Sequence, residues 1–145
     1  MQIKFENVVD LKEYLFLGKA FLTVKSLKTN THFTYRISIA PSNGTIHFVW
    51  VKSFENKFVY LGLVRNKTIF ERSQGSLFTQ ESLPFIAFNY LFSIALRNTS
   101  FPTELEVYHT GQCGRCGRFI THPTSIKRGI GPECFKVLGL KGSDF

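Results

Sequence analysis

Three cysteines and one histidine toward the end of the chain have the types and spacing to hold a soft metal ion. They are His109, Cys113, Cys116 and Cys134, within YHTGQCGRCGRFITHPTSIKRGIGPEC, and these are all the cysteines of the 145-residue chain. Cys113 and Cys116 form C-x2-C, a spacing at which one tight turn aims two thiolates at a single ion. A distant cysteine and a histidine then complete a closed tetrahedron. Thiolates and imidazole select Zn2+ over hard, oxygen-seeking cations. His109 precedes Cys113 by four residues, with Gly111 between them to ease a turn, and is the expected fourth ligand. His122, before Pro123, competes for that position. A third arrangement, three cysteines completed by water, leaves the ion open for chemistry. Glu133, beside Cys134, is the one nearby carboxylate for such chemistry. The deaminase pattern H-x-E with P-C-x-x-C is absent, as are a phosphate loop and a nucleophile triad. The expectation is structural zinc, no catalytic residue and no enzyme activity.

Basic side chains surround these ligands. The formal net charge is +8. From residue 109 onward there are six basic and two acidic residues, giving +4 in 37 residues. Residues 1–108 hold twelve and eight, also +4, but over a far longer stretch. Such a balance points to phosphate-bearing partners. Arg115, Arg118, Lys127, Arg128 and Lys136 are the candidate nucleic-acid contacts. Gly129 and Gly131 in G-I-G-P either let backbone amides approach a phosphate or form a tight turn that delivers Cys134. Phe119 and Ile120 are expected to form the module's small core. A segment this short makes a poor core alone, so metal is expected to fold it.

The elements that must position the site follow from periodicity. Asn7 to Leu17 reads as a short helix, capped by Asn7 and ended by Gly18. AFLTVKS, HFTYRISIA, TIHFVWVKS, KFVYLGLVR and KTIFERS are rich in β-branched and aromatic residues and read as five strands. Short turns between them predict an antiparallel meander. FVWV and FVYLGLV are apolar on both faces and should be central or covered. Ser82 to Leu96 reads as a helix, extending to about 97. It has Pro84 in its first turn, and apolar residues cover most of its circumference, so it should be buried. The expected fold is α+β: an antiparallel sheet of about five strands, a short N-terminal helix, a buried helix at about 82–97 and a C-terminal zinc knuckle. Residues 1–104 form the α+β domain and 105–145 the zinc module packed on it. No apolar run is long enough to span a membrane. The start, MQIKFENVVDLKEY, carries charges where a secretion signal needs an apolar stretch, so a cytoplasmic protein is expected.

Residues 109–134 resemble a domain of unknown function common in bacteriophage proteins, with the pattern H-x-x-x-C-x-x-C-G-R-x-L-T-x-P-x-S-I-x-x-G-I-G-P-x-C. They are also similar to small zinc modules appended to helicase-like and other DNA-processing proteins. The departures are Ile120, where Leu is usual, and His122, where a variable residue or Asp stands; that variability favours His109 as ligand. The stretch from GKAFLTVKS to FVYLG is similar to the β-rich region preceding the module in phage versions. The resemblance implies a phage or prophage origin, the host cytoplasm and zinc, and no particular activity.

Two roles are compatible with these residues. One is non-catalytic association with nucleic acid, DNA before RNA, through the basic zinc module, aided by sheet aromatics such as Tyr35 and Trp50 that could stack bases. The other is inhibition of a host enzyme, a nucleic-acid-handling protein or a defence complex through an apolar interface supplied by helix 82–96 and the aromatic strands.

Overall fold

The computed structural model describes residues 2–53 and 55–139. Its elements run β1 (Ile3–Lys4), α1 (Val8–Leu15), β2 (Lys19–Ser26), β3 (Thr31–Ala40), β4 (Asn43–Lys52), β5 (Phe58–Arg65), β6 (Ile69–Glu71), α2 (Leu83–Arg97), β7 (Leu105–His109), α3 (Pro123–Arg128) and α4 (Pro132–Val137). The fold is mixed α+β, with one antiparallel sheet in the order β1-β7-β2-β3-β4-β5-β6. It has seven strands rather than about five. The two additions are β1, too short to show a period, and β7. The latter opens at Leu105, where the zinc module was expected to begin, and pairs with β1 and β2 inside the main sheet. The metal-ligand segment therefore leaves the sheet from an interior strand.

Period-two alternation builds one face of the core. Ala20, Leu22 and Val24 of β2, Tyr35 and Ile37 of β3, Val49 and Val51 of β4, and Leu105 and Val107 of β7 all point toward α1 and α2. From α1 come Val8, Leu11, Tyr14 and Leu15, and from α2 come Phe85, Phe88, Leu91 and Phe92. Asn7 caps α1 by accepting the Asp10 N–H at 2.9 Å, as its residue type predicts. Ser82 stands at the start of α2, but its hydroxyl donates to the Thr79 carbonyl instead.

Two expectations change. Tyr35 is not an exposed stacking residue: it is 0% exposed, and its hydroxyl donates to the Pro84 carbonyl at 2.7 Å. A tyrosine on an inward register position buries its ring and finds one acceptor. Helix α2 is buried on one face only, since Leu83 and Ile86 are 66% and 49% exposed. β4 and β5 are interior strands of the sheet, as their apolar runs predict, with one face left uncovered by the helices. Phe48, Trp50, Phe58 and Tyr60 lie outside the main core and are half-buried, shielding one another on the outer side of the sheet. Among the described residues no helix is long and apolar enough to cross a membrane.

His47, 1% exposed on β4, is expected to make folding pH-dependent. Its Nε2 lies 3.3 Å from the Phe16 carbonyl, which requires the proton there, and Nδ1 is buried without a hydrogen-bond partner among the described residues. Burial holds its pKa below the ordinary histidine value; the Phe16 carbonyl opposes this and Lys67 adds to it. The unfolded chain then binds the proton more readily than the folded one. Stability should be constant above about pH 6.5, the unfolded histidine value, and fall below it by at most about 1.4 kcal/mol per pH unit for this group. Denaturant unfolding at pH 7 and pH 5 should show that loss, and His47→Gln should lessen it. An equal pH dependence in the variant would remove His47 as its source.

Candidate metal centre

The site is built from the end of β7 and two short helices. After His109 the chain turns at Gly111, whose φ of 83° lies in the left-handed region. Cys113 N–H donates to the Arg118 carbonyl at 2.8 Å, and Gly117 N–H to the Cys113 carbonyl at 2.9 Å. Ile120 N–H reaches back to the Gly111 carbonyl at 2.9 Å. This knuckle presents Cys113 and Cys116. Helix α3 ends at Gly129, the chain reverses through Ile130, and Gly131 caps α4, which carries Cys134. The three sulfurs all lie within 4.8 Å of one another. Tetrahedral coordination with metal–sulfur bonds of about 2.3 Å places sulfurs about 3.8 Å apart, so only a small contraction separates this arrangement from a bound one.

The surroundings suit thiolate at Cys113. Cys113 Sγ accepts from Gly131 N–H at 3.3 Å and Arg115 N–H at 3.5 Å. Burial pushes the Cys113 thiol up, but the backbone donors of Gly131, Cys116 and Arg115 outweigh it and hold the group below the ordinary thiol value. Cys134 moves the other way. Burial and the neighbouring sulfurs raise it, against the Arg115 guanidinium 3.5 Å away. Sulfurs this close resist ionising together unless a cation joins them. Three soft donors with N–H groups aimed at one of them can hold a metal ion.

G-I-G-P thus serves the sulfurs. Gly131 gives its amide to Cys113, and Gly129, at φ 73°, ends α3. The tight-turn reading describes this geometry; the phosphate reading finds the Gly131 amide already engaged. Ile120, Ile130 and Phe135 pack with Cys113 and Cys134 as a second small core. Phe119, expected there, is 75% exposed. It follows the knuckle on the solvent side of a short bridge to Gln112, so its neighbour Ile120 takes the interior place.

Neither ring nitrogen of His109 belongs to the sulfur group. The imidazole packs against Phe5 and Tyr14, with centroids 4.9 and 5.6 Å away. Nδ1 accepts the Gly111 N–H at 3.0 Å, and Nε2 is buried with no close hydrogen bond among the described residues, the Ile126 backbone being nearby. Burial pulls its pKa down to about 4, with the Ile126 backbone opposing. An acceptor Nδ1 leaves the proton of the neutral ring on Nε2. Ligation through Nε2 would require that proton to move and the Gly111 hydrogen bond to break. His122 is exposed at the start of α3.

The candidate cations do not share one environment. Arg118 and Lys136 are exposed. Arg115 is also exposed, but it turns its guanidinium to Cys134 rather than away from the knuckle. Lys127 pairs with Glu6 at 3.3 Å. Arg128 lies over the Phe135 ring, 4.6 Å from its centroid.

Sequence reasoning missed Tyr14, the residue that joins this module to the sheet. Its hydroxyl donates to the Phe21 carbonyl at 2.9 Å and accepts the Phe21 N–H at 2.8 Å. Pairing between β2 and β7 stops at Leu22 and His109. The hydroxyl therefore takes the place of the next β7 residue. Burial pushes the phenol up to about 12, keeping it a neutral donor. Gly114 and Gly129 lie against its ring so closely that a Cβ on either would come within 2.7 Å of it. Backbone bonds complete the joint: Lys19 N–H to the Gly114 carbonyl at 2.7 Å, and Gly114 N–H to the Gly129 carbonyl at 2.8 Å.

Residues 103–139 match a family model described as a family of unknown function (DUF6011). The match spans 37 residues, from the turn before β7 past the end of α4, and so contains all three cysteines. No curated protein and no solved structure matches the chain.

Proposed function

We propose that this chain is a phage-type, non-catalytic protein that holds Zn2+ at Cys113, Cys116 and Cys134 and associates with nucleic acid through the basic surface around them. The observation that carries this reading is the concentration of +4 in the 37 residues from His109 onward, around a sulfur trio with metal-binding geometry. Zinc supplies no chemistry in this reading; it staples a segment whose own core is small. DNA is the first candidate and RNA the second. A phage or prophage setting and the host cytoplasm are supported by the resemblance of residues 109–134.

His109 as fourth ligand belongs to the same proposal, supported by its position four residues before Cys113. Cobalt substitution tests it. The visible absorption of the cobalt-loaded protein should change in His109→Ala and persist in His122→Ala. Unchanged spectra in His109→Ala would leave His109 a core residue and the fourth position to solvent.

The salt dependence of binding tests the partner. Labelled single- and double-stranded DNA and RNA should bind more weakly as salt rises, because each phosphate contact releases a counterion. Replacing Arg118, Lys127 and Lys136 together by glutamine spares Arg115 and Arg128, which touch Cys134 and Phe135. This triple variant should lower the slope of log affinity against log salt by about 2 to 3. An unchanged slope would place the contacts elsewhere. If the folded protein binds nothing at low salt, the reading fails. A host protein then becomes the partner to seek, and one observation favours it: exposed Leu83, Ile86 and Tyr90 line an apolar groove of about 280 Å³ beside Phe33 and Leu105.

A further inference from the structure

The outer face of the sheet carries an aromatic ladder. Strand pairing places Phe21 beside Arg36, Arg36 beside Trp50, and Trp50 beside Tyr60, in one row across four strands. Phe48 and Phe58 flank the row. The Arg36 guanidinium lies over the Trp50 and Phe58 rings, 5.3 and 5.0 Å from their centroids. Phe21 meets Phe58 at 5.6 Å, Trp50 meets Tyr60 at 5.2 Å and Phe48 meets Tyr60 at 5.9 Å. These rings are half-buried. The Trp50 indole N–H is buried and has no hydrogen-bond partner among the described residues. Cross-strand aromatic pairs stabilise a sheet by about 0.2–1 kcal/mol each, but a strand interior needs no such pairs on its solvent side. Clustered there, they form an apolar patch of the kind that marks a binding site.

Charge says what the patch fits. By strand alternation Lys19, Lys25, Arg36 and Lys52 share this face. Its acids are engaged: Glu106 accepts from Tyr108 and pairs with Lys4, and Glu71 pairs with Arg65. The face is also continuous with the metal centre. A groove of about 370 Å³ runs from Phe21, Arg36 and Ser38 past Lys19 to Gln112 and Gly117 of the knuckle.

We infer that this face is a stacking platform for single-stranded nucleic acid, whose bases lie on Phe21, Trp50, Phe58 and Tyr60 while phosphates meet the surrounding cations and follow the groove to the basic knuckle. The inference rests on the nucleic-acid reading above and adds strandedness and a second surface. Flat rings reach bases only when they are unpaired, because a duplex hides their faces. A row of four residues spans about 14 Å, at about 4.8 Å per strand gap, room for two or three bases.

Trp50 is the only tryptophan of the chain, so its fluorescence reports on this face alone. The zinc-loaded full chain is titrated with a deoxythymidine 12-mer, a uridine 12-mer and a 12-base-pair DNA duplex. The single strands should quench the emission, and the better quencher names DNA or RNA. Phe21→Leu and Tyr60→Leu keep apolar bulk and remove a π face. Each should weaken single-strand binding about tenfold and change duplex binding less than twofold, with unchanged melting showing that the fold is intact. If single strands bind with steep salt dependence but leave the emission and both leucine variants unaffected, the platform is wrong and the basic-module reading stands. If no nucleic acid binds, both readings fall.

Discussion

Removing the metal is expected to unfold the segment from Gly111 to Leu138 while the sheet survives. Cys134→Ser should release the ion and cause the same change. The reason is the size of the second core. Ile120, Ile130 and Phe135, with Cys113 and Cys134, bury too little surface to order two short helices and a knuckle against their chain entropy. In the proposed role of zinc, sulfur–metal bonds supply the difference. The sheet persists because its residues pack on α1 and α2 in a separate cluster. Loss of a structural metal is among the few single changes that cost about 4 kcal/mol or more. For a chain of this length each kcal/mol lowers Tm by about 2–4 °C, so a fall of about 10 °C or more is expected. Metal content by mass spectrometry, a chelator titration and circular dichroism check the three parts of this outcome. A purified protein without metal, melting together with Cys134→Ser, would falsify the proposed role of zinc.

The second large effect concerns the joint at Tyr14. Gly129→Ala should destabilise by about 2–5 kcal/mol, combining the left-handed backbone cost with a steric one. Its φ is 73°, and the new methyl would lie 2.7 Å from Tyr14 Cδ1. Gly114→Ala meets the same ring at 2.7 Å and Leu17 at 3.1 Å without the backbone term, so about 1–3 kcal/mol is expected. Gly117→Ala is the control. Its φ of 81° is also left-handed, but its nearest neighbour is Lys19 Cδ at 3.7 Å, so only the backbone cost of about 1–2 kcal/mol applies. Tyr14→Phe keeps the ring and leaves the Phe21 N–H and carbonyl unpaired, at about 1–3 kcal/mol. Denaturant midpoints should rank Gly129→Ala above Gly117→Ala. The reverse order, or equal values, would show that Tyr14 does not hold the module.

The site and the fold were legible to different depths. C-x2-C reports on itself, because two thiols three positions apart on a turn meet whatever the rest of the chain does. Cys134 was legible as a ligand from its type and from the turn in G-I-G-P, but the short helices on either side of that turn, α3 and α4, were not read. β2 to β6 were visible because β-branched and aromatic residues recur between turn residues. Leu105, Val107 and His109 alternate with Glu106 and Tyr108, so a strand ending at His109 is legible, but its place beside β2 in the main sheet is not. That place decides the setting of His109: it occupies an inward position of β7, where pairing with β2 puts it in the aromatic core.

The sequence alone determined the sulfur trio, the basic density around it, the α+β class and the strand and helix periods. All of these depend on residue type and spacing along the chain. Only the tertiary structure decided which cations are held by Glu6, Cys134 or Phe135, and which aromatics face solvent. It also placed β7 in the sheet and the module's glycines on Tyr14. A period of two shows that residues alternate between faces, but not which face the helices will cover; that depends on where α1 and α2 bury most apolar surface. Tyr35 and Trp50 read alike in sequence, and they lie on opposite faces of the sheet because the helices cover only one.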